Sequence, residues 1–386
     1  MLTEPTTERP ALLPVYATFP LRAVAGHGSW LVDEDGHEWL DAYGGHAVAS
    51  SGHSHPDVVR AISEQAAKLI FYSTAVPHAG REELAEKLAS LAPDPLGQVF
   101  FCNSGAEANE NQIGLARRKT GRTTIVSMRG GWHGRTAATL ACTDGARYEA
   151  GARRAGVPLS RKVPFNDIAA LTAAVDDSVA AVLLEPVQGF AGARTATVEF
   201  LQAARALCDQ WGAKLLFDEV QCGTGRLGTF TAAETFGVVP DAIAMAKGLA
   251  AGLPIGAVLA VPSLVDDIAV GDLGSTFGGG PVPCAAALAN IAVIEREDLL
   301  ANVNRVSAMI AAQAARLPHV VQVHGKGFLL GLELDMPAAE VQKALWQHRV
   351  LTGTATDPRT LRLLPPLSFA TEEAALLLKS LTAVLA

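Results

Sequence analysis

Alternation of apolar and polar positions gives the first clear element. In "SWLVDEDGHEWLDA", from Ser29 to Ala42, the alternation runs on both sides of Asp35-Gly36 and predicts a β-hairpin with its turn at that pair. From Pro56, "PDVVRAISEQAAKLIF" changes to helical spacing, with proline in the first turn, where its missing N–H costs nothing. Short apolar runs follow: "GQVFFCN", "TTIVSM", "VAAVLLEP", "AKLLFDEV" and "DAIAMAK", separated by longer helical stretches such as "EFLQAARALCDQWG". Runs without alternation read as strands buried on both faces, and strands joined by helices predict a mostly parallel sheet with helices on both faces.

After about Pro283 the texture changes. "CAAALANIAVIERE" and "ANVNRVSAMIAAQAARL" predict long helices, "GFLLGLELD" and "TLRLLPPL" predict strands, and Thr371 opens a last helix with Glu372 and Glu373 in its first turn. This texture predicts a smaller α+β domain formed from both chain ends, residues 1–45 and 285–386, beside a large domain over 46–284. Only the extreme N-terminus, "MLTEPTTERP", reads as disordered. No repeat or low-complexity tract interrupts the pattern.

Composition narrows the function classes. A chain of 386 residues, 49% hydrophobic and 18% charged with 36 glycines, is expected to be a compact soluble enzyme. A net charge of −8 without blocks of like charge argues against nucleic acid. The longest mostly apolar segment, Ala242 to Val265, is interrupted by Lys247 and Pro254 and reads as buried strand and loop, so no membrane partner is expected. No basic segment followed by an apolar stretch marks a signal peptide. Cys102, Cys142, Cys208, Cys222 and Cys284 lack C-x-x-C spacing, which predicts buried thiols in a reducing cytoplasm and no metal.

"LLFDEVQCGTGRLG" offers two chemistries. Gly223, Gly225 and Gly228 have the spacing of a dinucleotide-binding turn, but no helix opens directly after them and no acid ends the next strand, as that fingerprint requires. Asp218 ends an apolar run, where parallel sheets place ligands; a helix cap or a buried salt bridge is its plainer reading. Lys247 follows another apolar run in "DAIAMAKGLAAGLPIG". A lysine there must be solvated, paired or covalently occupied, and desolvation lowers its pKa towards that of a Schiff-base nucleophile; alone, it reads as readily as an amine reaching for water. In "VFFCNSGAEANENQ", the small residues Ser104, Gly105 and Ala106 open a helix where backbone N–H groups and the helix dipole suit a phosphate. Together they meet the requirements of pyridoxal phosphate: an anchored phosphate, an acid for the ring nitrogen and a lysine for the aldehyde.

The chain also resembles a known family, the class III, ornithine-type aminotransferases. Within it the similarity is to the acetylornithine branch and to the lysine-biosynthetic branch acting on a carrier-linked aminoadipate semialdehyde. The resemblance spans nearly the whole chain and rests on "LDAYGGHAVASSGHSHPDVV", "NSGAEANE", "GWHGRT", "EPVQG", "LLFDEVQCGTGR", "AKGLAAGLPIGA", "GSTFGGGP" and "LRLLPPL" in that order. It implies the fold-type I architecture of pyridoxal-phosphate enzymes and ping-pong transfer of a terminal amino group to an α-keto acid, foremost 2-oxoglutarate. It implies that Lys247 is the Schiff-base lysine and moves the proton, that Asp218 keeps the ring nitrogen protonated, and that Gln221 bonds the ring hydroxyl. Trp132 takes the place of the ring-stacking aromatic, and Gly105 and Ala106 give amides to the phosphate. Thr276 reaches that phosphate from a neighbouring subunit in a homodimer, with Ser275 beside the substrate. Arg362 is implied as the carboxylate clamp and Arg135 as the contact for the substrate's far end.

One position departs from the family pattern. Where "EPVQGEGG" is usual the chain reads "EPVQGFAG", so Phe190 replaces an acid that in relatives pairs with the clamping arginine. A permanently available Arg362, or another acid in its place, is the expected consequence. Three rival readings remain: a β-alanine or ω-amine:pyruvate transaminase, a nicotinamide-dependent dehydrogenase built on the glycine turn, and a non-catalytic binding protein on the same scaffold.

Overall fold

A computed structural model describes residues 11–13 and 15–386; the N-terminal segment expected to be disordered lies outside the described residues. Its central element is a seven-stranded sheet in the order Gln98–Cys102, Gly256–Ala260, Ala242–Met245, Lys214–Asp218, Val179–Leu184, Thr124–Met128 and Arg161–Val163. The last five strands are parallel, and only Gly256–Ala260 runs antiparallel to both its neighbours. Val179–Leu184 and Ala242–Met245 are buried at every position, which is why they carry no alternation.

The helices on this sheet start and stop where local chemistry directs. In Gly105–Thr120 the Ser104 hydroxyl accepts the Glu107 amide, Glu107 sits in the first turn, Arg117, Arg118 and Lys119 occupy the last, and Gly121 turns left-handed at φ 66°. Val198–Trp211 repeats the scheme, with Thr197 as cap and Gly212 as stop. Pro56–Lys68 begins at its proline as expected and ends three residues earlier than the pattern suggests.

The expected hairpin pairs Trp30–Asp33 with Glu38–Asp41, closed by Gly36 at φ 79°. Asp33 locks the turn by accepting the Asp35 and His37 amides and the Trp39 indole N–H. The hairpin is joined to the far end of the chain. Val350–Leu351 adds a parallel strand to Glu38–Asp41, and Glu373 of the last helix accepts the Ser29 hydroxyl and the Trp30 indole N–H. That helix spans Thr371–Leu385, so Thr371 is its first helical residue rather than its cap; Glu373 instead accepts the Ala370 amide.

Two large apolar cores fill the molecule, with a smaller third between them that joins Tyr43 and Ala47 to Val187, Cys222, Leu329 and Leu364. One lies around the large sheet and draws on residues from Val58 to Ile291; the other combines Leu40 and Ala42 with residues from Val293 to Leu385. The helix Pro281–Arg296 feeds both. All five cysteines are buried thiols. Among the described residues, no helix is long and apolar enough to cross a membrane.

Candidate active site

The carboxyl ends of the parallel strands share one edge of the sheet, and residues immediately after those ends build the site. Asn103 to Ala106 follow Cys102, Trp132 and His133 follow Met128 by a few residues, Glu185 follows Leu184, Asp218 ends its own strand, and Lys247 comes two residues after Met245.

Lys247 opens a single 3-10 turn, Lys247–Ala250, with φ 46°. A left-handed conformation at a residue with a Cβ is strained and persists where the surroundings impose it. Its Nζ takes no hydrogen-bond acceptor among the described residues. Burial draws the amine below the ordinary lysine value, against the opposing carboxylates of Asp218 and Glu185.

Asp218 is buried and fully oriented. Oδ2 accepts Asn109 Nδ2 at 2.7 Å and His133 Nδ1 at 2.8 Å, and Oδ1 accepts the Val220 amide at 3.0 Å. A carboxylate has about four lone-pair sites, so one remains for a further donor. Gln112 Nε2 in turn bonds Asn109 Oδ1, fixing that amide as the donor towards Asp218. Glu219, next in sequence, does something else: its oxygens accept the Ala232 and Ala233 amides and cap the following helix. Glu219 is thus a helix cap, whereas Asp218 caps no helix.

Glu185 accepts the amides of Trp132 at 2.8 Å and Gly189 at 3.3 Å. Burial, then the neighbouring Asp218, pushes its carboxyl up to about 8. Trp132 stands between Tyr148, edge-on at 5.1 Å, and Phe190, tilted by 37° at 4.7 Å. Gly134 brings this loop onto the start of Gly105–Thr120, since a Cβ there would lie 2.7 Å from that of Ala106. The Gly105 and Ala106 amides are first-turn donors without intrahelical acceptors.

Arg362 sits in Thr360–Leu363 on the opposite wall, nearly inaccessible at 2% exposure. Nε donates to Thr354 O at 2.7 Å, Nη1 to Gly189 O at 3.1 Å and Nη2 to the Tyr43 hydroxyl at 2.9 Å. Its guanidinium lies over the rings of Phe190 and Tyr43 at 5.2 and 5.6 Å. No carboxylate bonds it among the described residues. Arg135 is exposed, with its guanidinium 5.2 Å from the Trp132 ring. Gln221 Nε2 donates to His46 O at 3.3 Å. Ser275 Oγ accepts from Asn103 and from the Gly278 amide, whereas Thr276 is exposed and makes no such contact.

A half-buried amine with no acceptor, a carboxylate with one open lone pair, a half-buried indole and unpaired amides at a helix start fit pyridoxal phosphate. Comparison with known proteins gives the same answer. The model of the family described as aminotransferase class-III matches residues 14–385. The chain belongs to the class III aminotransferases. It is 43% identical over 377 residues to a protein named acetylornithine aminotransferase 1 from Bordetella bronchiseptica, covering 94% of each chain. Among solved structures, the ornithine aminotransferase of Toxoplasma gondii superposes with a TM-score of 0.90 at 28% identity, over 97% of this chain and 92% of that one. An amine transaminase from an uncultivated Pseudomonas species, solved in its PLP-bound form, gives a TM-score of 0.88 at 27% identity over 98% of both. The chain is thus a pyridoxal-phosphate-dependent aminotransferase of fold-type I, as the resemblance implied.

In this class III enzyme the glycine turn is not a dinucleotide site. Gly223 to Gly228 opens no helix directly, the next starting only at Ala232; a Cβ on Gly225 would meet Leu367 and Leu300, and one on Gly228 would meet Asn304, so the turn is packed against the C-terminal core. Sequence reading missed Asn109, His133, Tyr43, His46 and the charge of Glu185. All stood inside motifs carrying the family resemblance, but their partners lie far away in the chain.

Proposed function

We propose that the enzyme transfers the terminal amino group of N-acetylornithine, or a similarly blocked diamino acid, to 2-oxoglutarate in a ping-pong reaction. The observation that carries this reading is a row of four groups: Arg135 on Trp132, Trp132 on Phe190, Phe190 on Arg362, with ring and cation spacings of 5.2, 4.7 and 5.2 Å. Two guanidinium groups at the ends of an aromatic pair suit substrates with anionic groups at separated positions. The name of the Bordetella bronchiseptica relative supports the donor.

Bound pyridoxal phosphate supplies an aldehyde for the amine and a ring that accepts electrons from the substrate carbon. Lys247 offers the covalent anchor and then carries the proton at Nζ, aided by the burial that lowers its basicity. Asp218, oriented by His133 and Asn109, is the acceptor for the ring N–H. Gly105 and Ala106 give their amides to the phosphate at the helix start capped by Ser104. Trp132 would stack on the ring and Gln221 would bond its hydroxyl. Arg362 receives the carboxylate next to the keto carbon of 2-oxoglutarate, Arg135 the far end of the substrate, and Ser275 stands beside the substrate.

Residues 1–45 and 285–386 form the small domain and 46–284 the large one; the separate C-terminal core from Val293 to Leu385 with Leu40 and Ala42 supports two domains, although Ala286, Ala287 and Ile291 still pack in the large-sheet core. Two copies share active sites, with Thr276 serving the neighbour's phosphate. The exposed apolar side chains of Ile70, Phe71, Tyr72 and Phe277, with the Phe71 and Phe277 rings 5.0 Å apart, support such an interface. The reaction belongs to cytoplasmic arginine biosynthesis or the parallel lysine route.

Initial rates with N-acetylornithine, ornithine and β-alanine against 2-oxoglutarate and pyruvate test the proposal. Parallel double-reciprocal lines and the highest kcat/KM for N-acetylornithine with 2-oxoglutarate are expected. A preference for β-alanine with pyruvate would overturn it.

A further inference from the structure

The Arg362 guanidinium has five N–H groups, and Thr354 O, Gly189 O and the Tyr43 hydroxyl take three. The two that remain, one on each terminal nitrogen, form the fork that a carboxylate accepts. A guanidinium only donates, so the Tyr43 oxygen is an acceptor there and its own proton must go elsewhere. His46 Nδ1 lies 2.7 Å from that oxygen, with the two rings 4.8 Å apart. With His46 neutral and its proton on Nε2, the donor chain runs from Arg362 to Tyr43 to His46.

The turn carrying both side chains is built to hold them. Asp41 Oδ1 accepts the Tyr43 and Gly44 amides, its Oδ2 bonds His53, and Gly44, Gly45 and His46 follow with φ of 58°, 58° and 69°. Gly44 must lack a side chain because a Cβ would lie 2.7 Å from Leu364 O. His46 O takes Gln221 Nε2, which holds the turn to the segment after Asp218.

We infer that His46, acting through Tyr43, couples carboxylate binding at Arg362 to the uptake of one proton. This rests on the reading of Arg362 as the carboxylate clamp. Without an anion, protonating His46 turns Nδ1 into a second cationic donor facing the Tyr43 oxygen beside Arg362. That oxygen can accept both, but its own proton must rotate away and two positive charges converge. A carboxylate on the open fork of Arg362 supplies the compensating charge. By linkage, a bound carboxylate favours protonated His46, and protonated His46 strengthens carboxylate binding. Phe190 makes the device necessary, since its ring offers a face to Arg362 but no charge.

The charged and titratable groups facing His46 have the matching signs. Tyr43 shares its turn, Arg362 approaches from Thr360–Leu363 and Lys247 from the turn after Met245; Asp41 is the acid nearest Tyr43 on the same segment and Glu185 acts on both Arg362 and Lys247. Partial burial, then Arg362 and Lys247, holds the imidazole below its ordinary value, so it is poised to gain a proton when a dianion arrives.

Calorimetric titration of the holoenzyme with glutarate, an unreactive dicarboxylate, at about pH 6 and about pH 8 in two buffers of different ionisation enthalpy, tests the coupling. The wild type should bind about fivefold or more tightly at the lower pH, with proton uptake that depends on pH. His46→Asn puts an acceptor at the same branch position, tolerates the left-handed backbone and does not titrate. In a Glu185→Gln background, which removes the other group beside Arg362 that titrates in this range, it should show one affinity at both pH values and lose the uptake; Tyr43→Phe should do the same. Wild-type pH dependence in His46→Asn on that background overturns the coupling alone. Glutarate binding by Arg362→Lys as tight as wild type overturns the clamp reading from which it starts.

Discussion

His133 Nδ1 lies 2.8 Å from Asp218 Oδ2, and both side chains are sealed from solvent at 2% and 3% exposure. The contact orients the carboxylate. His133 Nε2 is buried without a partner, so the ring acts through its Asp218 face. Hydrogen bonds to a charged group contribute about 1.5–3 kcal/mol. His133→Phe should therefore lower kcat about tenfold to a hundredfold while the protein keeps its fold by circular dichroism. Kinetics within twofold of wild type would show that Asn109 and the Val220 amide orient Asp218 without help.

Lys247 is the anchoring amine of the proposal. Borohydride reduction of the holoenzyme followed by peptide mapping should put the pyridoxyl label on Lys247 and on no other lysine. Lys247→Ala should fold, keep the phosphate site and lose turnover by at least about a thousandfold, the scale of losing a positioned proton carrier. A label on another lysine refutes the assignment.

Phe190 lies between Trp132 and Arg362, and among the described residues no carboxylate bonds the guanidinium. Phe190→Glu installs an acid that 2-oxoglutarate must displace from Arg362. Its KM for 2-oxoglutarate should rise about tenfold, which corresponds to about 1.4 kcal/mol. The KM for a donor without a carboxylate beside the reacting amine should change less. An unchanged KM for 2-oxoglutarate would mean that Arg362 is not where that carboxylate binds.

Glu185 gives a pH prediction. Its carboxyl rises from the ordinary 4.5 to about 8 in the fold because of burial and Asp218. Between those values the folded chain binds a proton that the unfolded chain has released, so this group's contribution makes stability fall as pH rises through that window. Glu185→Gln mimics the protonated form. In thermal unfolding it should gain on the wild type as pH rises from about 5 to about 8, with the difference vanishing at the acid end. A difference that grows towards acid would reverse the sign and refute the assignment.

The apolar runs made the parallel sheet legible, because strands buried on both faces leave no room for alternation. Asp218 and Lys247 stood out by the same contrast, as charges at the ends of apolar runs. The hairpin turn at Asp35-Gly36 and the helix start at Ser104 were legible because they depend on residues within four positions of one another. The start of the last helix at Thr371 was legible in the same way, with Glu372 and Glu373 in its first turn.

Partners across the fold could not be read in this way. Asn109 and His133 reach Asp218 over 109 and 85 residues, and Arg362 reaches Tyr43 over 319. No local pattern encodes such pairs, because the register of the sheet and the return of the C-terminal strand to the N-terminal hairpin bring them together. The glycine turn shows the reverse: its spacing suggested a cofactor, but packing against Leu367, Leu300 and Asn304 gave it a structural task. The sequence by itself determined which elements form and which charges need an explanation. Tertiary structure decided what each charge faces, since hydrogen bonds and desolvation depend on distances set only after distant segments meet.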